Sequence, residues 1–285
     1  MSKWYGIGLP LFLFCVLVSC ATPVTKPESP TILVAAFGSS YESGQKNLGD
    51  FDEALRQVFP ENPVYWGFTS NFIVEALRKK GDTSLFDSQV PLWKIDEAFV
   101  ELKKQGITNV LVVNLLIMPG GEYREAMLAP TQGLNVKYVH SLLFYPQNIQ
   151  NAVLALQNQI ADDARTATVF CAHGNEKHLQ YNGELEEMDA YLRSTFQNTY
   201  LVSMEGLPTW APVRQDIMDS GVEAVHFVPF MLTYGDHMSN DVMGDSEDSF
   251  QSQLGLPATT SQGLASEPAF QKMYFNEIDR VLTHF

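Results

Sequence analysis

From residue 31 onward, short unbroken apolar runs alternate with stretches in which apolar positions recur every three or four residues. Residues 31–38 (TILVAAFG) form an apolar run closed by glycine, which predicts a buried parallel strand. Runs at 63–69, 109–118 and 137–142 predict three more. Helical periodicity is clear between them, for example at 92–106 (LWKIDEAFVELKKQG), where the final glycine predicts a C-terminal cap. Past a boundary near 145–165 the scheme repeats, with strands at 166–174, 198–206 and 223–235. Helices are expected at 180–196, 210–221 and 268–285.

The alternation predicts an α/β fold of parallel sheets flanked by helices, in two similar halves, 31–150 and 151–285. Gly38 and Gly174 close the first strand of each half. Right-handed crossovers gather the strand C-termini on one edge of each sheet, where open α/β sheets bind ligands.

The first thirty residues stand apart. One cation, Lys3, precedes an apolar run of about sixteen residues, shorter than the ~20 that span a bilayer as a helix. Residues 1–19 therefore read as a signal peptide. Leu17-Val18-Ser19-Cys20 matches the lipobox of bacterial lipoproteins, which implies acylation of Cys20, and Ala21 after it suggests the outer membrane. Residues 20–30, with three prolines and no periodicity, read as a tether. Cys15 would leave with the signal and Cys20 would be lipidated, so Cys171 has no partner for a disulfide. A formal charge of −15 without a basic cluster argues against nucleic acid as a partner. A homo-oligomer is left open.

Three ionisable residues follow apolar strands of the second half: His173, Glu205 and His237. Neighbouring parallel strands lie ~5 Å apart, so the three heads can converge. Two imidazoles and a carboxylate suit a borderline divalent ion such as Co²⁺, Ni²⁺, Zn²⁺ or Fe²⁺. Three protein ligands leave coordination positions open, as a reactive site requires. Asp241 is placed to orient a ligand histidine. The acidic run beyond it predicts a helix start, with Asp245 or Ser246 as cap and Glu247 and Asp248 in the first turn. His178 is expected in solvent, and His140, His226 and His284 have no carboxylate neighbours in sequence.

The segments VFCAHGNEKH, SMEGLPTW and PFMLTYGDHMSNDVMGDSEDSF resemble the class II tetrapyrrole chelatases, specifically the anaerobic-type sirohydrochlorin cobaltochelatases. AAFGSS and YWGFTSNFI extend the likeness into the first half. The resemblance implies two flavodoxin-like halves with a tetrapyrrole cleft between them and the metal on His173, Glu205 and His237. It also implies that the turn Gly38-Ser39-Ser40 borders the macrocycle; Arg124 and Lys177, which follow two of the relevant strand ends, are the cations expected to meet its carboxylates. The sequence departs from the family at Leu116, where relatives carry a histidine. The expected activity is insertion of Co²⁺, or of Fe²⁺, into sirohydrochlorin. An outer-membrane lipoprotein that binds haem for uptake machinery or iron extraction is the alternative, and a plain metal-binding lipoprotein is a third.

Overall fold

The computed structural model describes Met1 and residues 29–285; the expected signal peptide, Cys20 and most of the tether lie outside the described residues. In chain order the first half contains β1 (Thr31–Ala36), α1 (Glu42–Val58), β2 (Val64–Phe68) and α2 (Asn71–Lys80). A small antiparallel pair, β3 (Ser84–Leu85) and β4 (Val90–Pro91), leads into α3 (Ile95–Lys104), β5 (Asn109–Leu115), α4 (Gly121–Leu128) and β6 (Asn135–Val139). The second half runs through α5 (Gln147–Ala155), β7 (Thr166–Gly174), α6 (Gly183–Thr195), β8 (Thr199–Glu205) and α7 (Trp210–Ser220). It ends with β9 (Ala224–Phe230), α8 (Phe250–Leu254), β10 (Ala258–Thr260) and α9 (Pro268–Leu282).

The sheet orders are β2-β1-β5-β6 and β8-β7-β9-β10, with every pairing parallel. Each half therefore has its first strand beside its second and third, which is the flavodoxin-like order short of the last strand. All six residues of β1 are buried, as a central parallel strand requires.

Alternation along the strands separates two faces. Ile32, Val34 and Ala36 of β1 share one core with Phe170 and Ala172 of β7, Leu201 of β8 and Phe230 of β9. Side chains of α1, α5, α6 and α9 fill that shared core, so these helices form a middle layer between the sheets. Leu33 and Ala35 point the other way, onto α3 and α4, while Val169 and Cys171 point onto α7 and α8.

Two expectations need correcting. The strand expected at 223–235 stops at Phe230, because the backbone beyond it bonds elsewhere: Met231 O and Leu232 O accept from Leu264 N and Ala265 N, and Tyr234 N donates to the Asn47 side chain. The helix expected at 268–285, assigned by sequence to the second half, packs against β5 and β6 of the first sheet. The buried Tyr274 hydroxyl fixes it there, donating to Leu116 O at 2.7 Å and accepting from Leu116 N at 3.3 Å.

The halves are stitched where α1 meets the loop after β9. Asn47 is fully buried; its Oδ1 accepts Tyr234 N at 2.7 Å and its Nδ2 donates to Ser266 Oγ at 2.7 Å. Ser266 Oγ in turn donates to Asp50 Oδ2 at 2.6 Å. Gly263 makes room, since a Cβ there would lie 2.6 Å from Asn47 Oδ1. Truncating Asn47 leaves the Tyr234 N–H without its acceptor and takes a donor from Ser266 Oγ. Asn47→Ala is expected to lower stability by about 2–3 kcal/mol, read as an earlier urea midpoint.

Candidate metal centre

His173 is the penultimate residue of β7, Glu205 is the last of β8, and His237 opens the helical turn that follows the loop after β9. One ligand atom from each lies within 4.8 Å of the other two, with His173 exposed and the other two half-buried. The imidazoles meet edge to face, centroids 4.9 Å apart and planes at 84°.

The register of β7 and β8 depends on one glycine. Gly174 pairs with Glu205, has φ +74°, and would place a Cβ 1.9 Å from Glu205 O. No side chain fits there, so glycine alone lets the strand end bring His173 beside Glu205. Buried Asn182 closes the loop beyond: its Oδ1 accepts Asn175 N at 2.8 Å and its Nδ2 donates to Asn175 O at 2.9 Å.

His237 begins a six-residue π turn, His237–Val242, followed by a Met243 N to Met238 O bond of 3.0 Å. Met238 and Val242 are fully buried against the second outer layer, which turns His237 and Asp241 toward the opening. Such wide turns recur at functional sites. Gly244 is needed at its end, where a Cβ would lie 2.3 Å from Asn240 O. The helix expected from Asp245 or Ser246 is displaced by this turn. It starts at Phe250, capped by Ser249, whose Oγ accepts Ser252 N at 3.3 Å. Glu247 and Asp248 precede it in an exposed turn.

Both imidazoles are held by Nδ1. That of His173 lies 2.9 Å from Gly174 O and that of His237 lies 2.6 Å from Asp241 Oδ2. A carbonyl and a carboxylate only accept, so each Nδ1 carries the proton and each Nε2 is the free nitrogen. Asp236, next to His237, accepts from the Tyr41 hydroxyl and from Asn240 Nδ2 at 2.6 Å. The Tyr41 bond holds the Asp236 carboxyl below its usual range and pushes the Tyr41 phenol up.

The other expected site residues are more scattered. Gly38 has φ +98° and packs on Ile73 and Phe68, and the Ser39 hydroxyl accepts Tyr41 N at 3.2 Å. Ser40 follows, half-buried. Arg124 is exposed in the first turn of α4, and Lys177 is exposed in the loop after β7. Among the described residues, no hydrogen bond or ion pair joins either cation to the three ligands. Gly120, at the start of α4, approaches the loop after β7: a Cβ there would lie 4.0 Å from Tyr181. Leu116 is 7% exposed.

His178 is exposed and backs onto Tyr181. His140 lies 2.6 Å from the Tyr123 hydroxyl and stacks on Phe144; His226 bonds Thr259 and Ser261. Burial lowers the pKa of both rings. Cys171, two residues before His173, is a buried free thiol. Sequence reasoning missed Asn47 and Tyr41. Asn47 was signalled by a polar residue interrupting the buried stripe Gly44, Leu48, Phe51 and Leu55 of α1.

Two parallel sheets of this order, with an open nitrogen and carboxylate triad at the strand ends, define the class as metal chelatases. A family model described as cobalt chelatase (CbiK) matches residues 30–283, and the chain belongs to that family. The chain is 28% identical over 262 residues to a sirohydrochlorin cobaltochelatase of Salmonella typhimurium, covering 88% of this chain and 96% of that protein. It is also 28% identical over 243 residues to sirohydrochlorin cobaltochelatase CbiKC of Nitratidesulfovibrio vulgaris, covering 81% and 80%. The structure of SirB from Bacillus subtilis with Fe³⁺ is similar in fold, at a TM-score of 0.61 and 15% identity, over 89% of this chain and 96% of that one.

Gly174→Ala is expected to abolish Co²⁺ binding in calorimetric titration. Gly221→Ala, where φ is +72° but the space is open, should keep that binding at a stability cost of about 1 kcal/mol.

Proposed function

We propose that the protein inserts Co²⁺ into sirohydrochlorin, using His173, Glu205 and His237 as the metal-holding groups. The observation that carries this reading is the convergence of their ligand atoms within 4.8 Å at the edge where the halves meet. Relatives named for this reaction support the choice of metal and macrocycle.

Replacing two pyrrole protons with one divalent ion requires bases as well as ligands. The triad supplies both. While the ion is bound, its lone pairs are engaged; as the ion passes to the pyrrole nitrogens, the same lone pairs become free to take protons. Asp241 keeps the Nε2 of His237 in play throughout, and the Gly174 carbonyl does so for His173. Three ligands hold an ion less firmly than a closed four-ligand structural site, which suits an ion that must leave. The turn Gly38-Ser39-Ser40 borders the macrocycle from the other half, and Arg124 and Lys177 meet its carboxylates. The haem-carrier alternative rests on the export signal and on Leu116 in place of the family histidine, and the cobaltochelatase relatives lend it no support.

Leu17-Val18-Ser19-Cys20 supports an exported, lipid-anchored setting at the outer membrane. Labelled palmitate should enter the protein in cells and fail to enter Cys20→Ser. For the reaction itself, purified protein with sirohydrochlorin and Co²⁺ should change the macrocycle's absorbance faster than the spontaneous reaction. His237→Ala should remove that excess rate. A full rate in the variant, or none above background in the wild type, overturns the assignment.

A further inference from the structure

We propose that Tyr41 is a positioning residue for the metal centre, supplied by the half of the molecule that holds no ligand. The inference rests on the chelatase reading of that centre and deepens it.

Three residues at the start of α1 grip the segment just ahead of His237. The Tyr41 hydroxyl donates to Asp236 Oδ1, Ser43 Oγ donates to Tyr234 O at 2.6 Å, and Asn47 Oδ1 accepts Tyr234 N at 2.7 Å. Together they splint residues 234–236 along the first half. Asp236 is the residue on which the π turn begins, and its Oδ1 also accepts Asn240 Nδ2. Two bonds therefore span the same turn side by side: Asp236 with Asn240, and His237 with Asp241. Tyr41 holds the first of these pairs from outside, and the second orients the ligand.

The root of Tyr41 is equally fixed. Its backbone N–H donates to Ser39 Oγ, and Ser39 is buried in the turn that ends β1. That turn is the part of the first half assigned above to the edge of the macrocycle. A continuous path thus runs from the Gly38-Ser39-Ser40 turn through Tyr41 and Asp236 to the first turn carrying His237.

Tyr41 differs from Asn47 in one decisive respect. Asn47 is fully buried and holds the fold of the junction, whereas Tyr41 is 39% exposed. An exposed hydroxyl contributes little to global stability. Its effect is on where Asp236, and hence His237, stands.

The test compares the full-length protein with Tyr41→Phe, which keeps the ring and removes only the hydroxyl. Co²⁺ affinity is measured by calorimetry, the geometry of the bound ion by its visible d–d absorption, and turnover with sirohydrochlorin by absorbance. Outer partners of ligand groups typically change metal affinity 10–100-fold, and the lower end is expected here: Co²⁺ binding about 10-fold weaker. The d–d band should shift, kcat should fall by a similar factor, and the melting temperature should stay within ~2 °C. Asp236→Asn keeps an acceptor oxygen and should remain near wild type. Asp236→Ala removes the Asn240 bond as well and should lose at least as much as Tyr41→Phe, and adding Tyr41→Phe to it should cost nothing further.

Wild-type affinity, spectrum and turnover in Tyr41→Phe would overturn the proposal. So would a loss accompanied by a lower melting temperature with an unchanged Co²⁺ spectrum, because a merely structural bond behaves that way. If the wild type inserts no cobalt while the Co²⁺ titrations and spectra still differ between the two proteins, the function is refuted and the positioning role stands. Absence of any Co²⁺ binding by the wild type removes both.

Discussion

Asn47 lies wholly inside the protein with both ends of its carboxamide engaged, one on the backbone of Tyr234 and the other on Ser266. An amide buried in this way is stable only while both partners stay in place. The consequence reaches further than the junction. The Tyr234 backbone belongs to the loop that leaves β9, and three residues later the chain delivers His237. The ligand's position is thereby tied to the seating of α1 between the two sheets, and α1 is seated by Leu48, Phe51 and Leu55 in the shared core. Packing in the middle layer and geometry at the metal centre are one problem.

Much of this was legible in the chain. Unbroken apolar runs ending in glycine marked β1 and β7, because a strand buried on both faces has no polar positions to alternate. His173, Glu205 and His237 were legible for a topological reason: in a parallel sheet every strand delivers its C-terminus to the same edge. What was not legible depended on partners distant in sequence. Residues 231–235 look like a strand, yet their backbone groups find Asn47 and residues 264–265 instead of a neighbouring strand. The π turn, likewise, is set by burial of Met238 and Val242 together with the close approach at Gly244. Neither leaves a periodic signature that a single sequence displays. The return of α9 to the first sheet was hidden for the same reason, since the Tyr274 hydroxyl bonds backbone more than 150 residues away.

The two halves share strand order but not chemistry. β1 closes with Ala36-Phe37-Gly38 and β7 with Ala172-His173-Gly174, both turns passing through a glycine at positive φ. An aromatic stands in one half where an imidazole stands in the other. The repeat is asymmetric: His173, Glu205 and His237 all come from the second half, while Tyr41, Ser43 and Asn47 of the first half hold the segment ahead of His237.

Cys171 gives this arrangement a chemical boundary. It shares a strand face with His173 two residues on, yet its thiol is sealed in the outer core, and burial drives its ionisation far above the usual range. A thiolate beside two imidazoles would make a soft, tenacious trap, well suited to zinc or copper(I) and poorly suited to an ion in transit. With the sulfur buried and out of reach, the cluster at the strand edge offers only nitrogen and oxygen donors, a set that would grip a borderline ion less tenaciously than one with a thiolate.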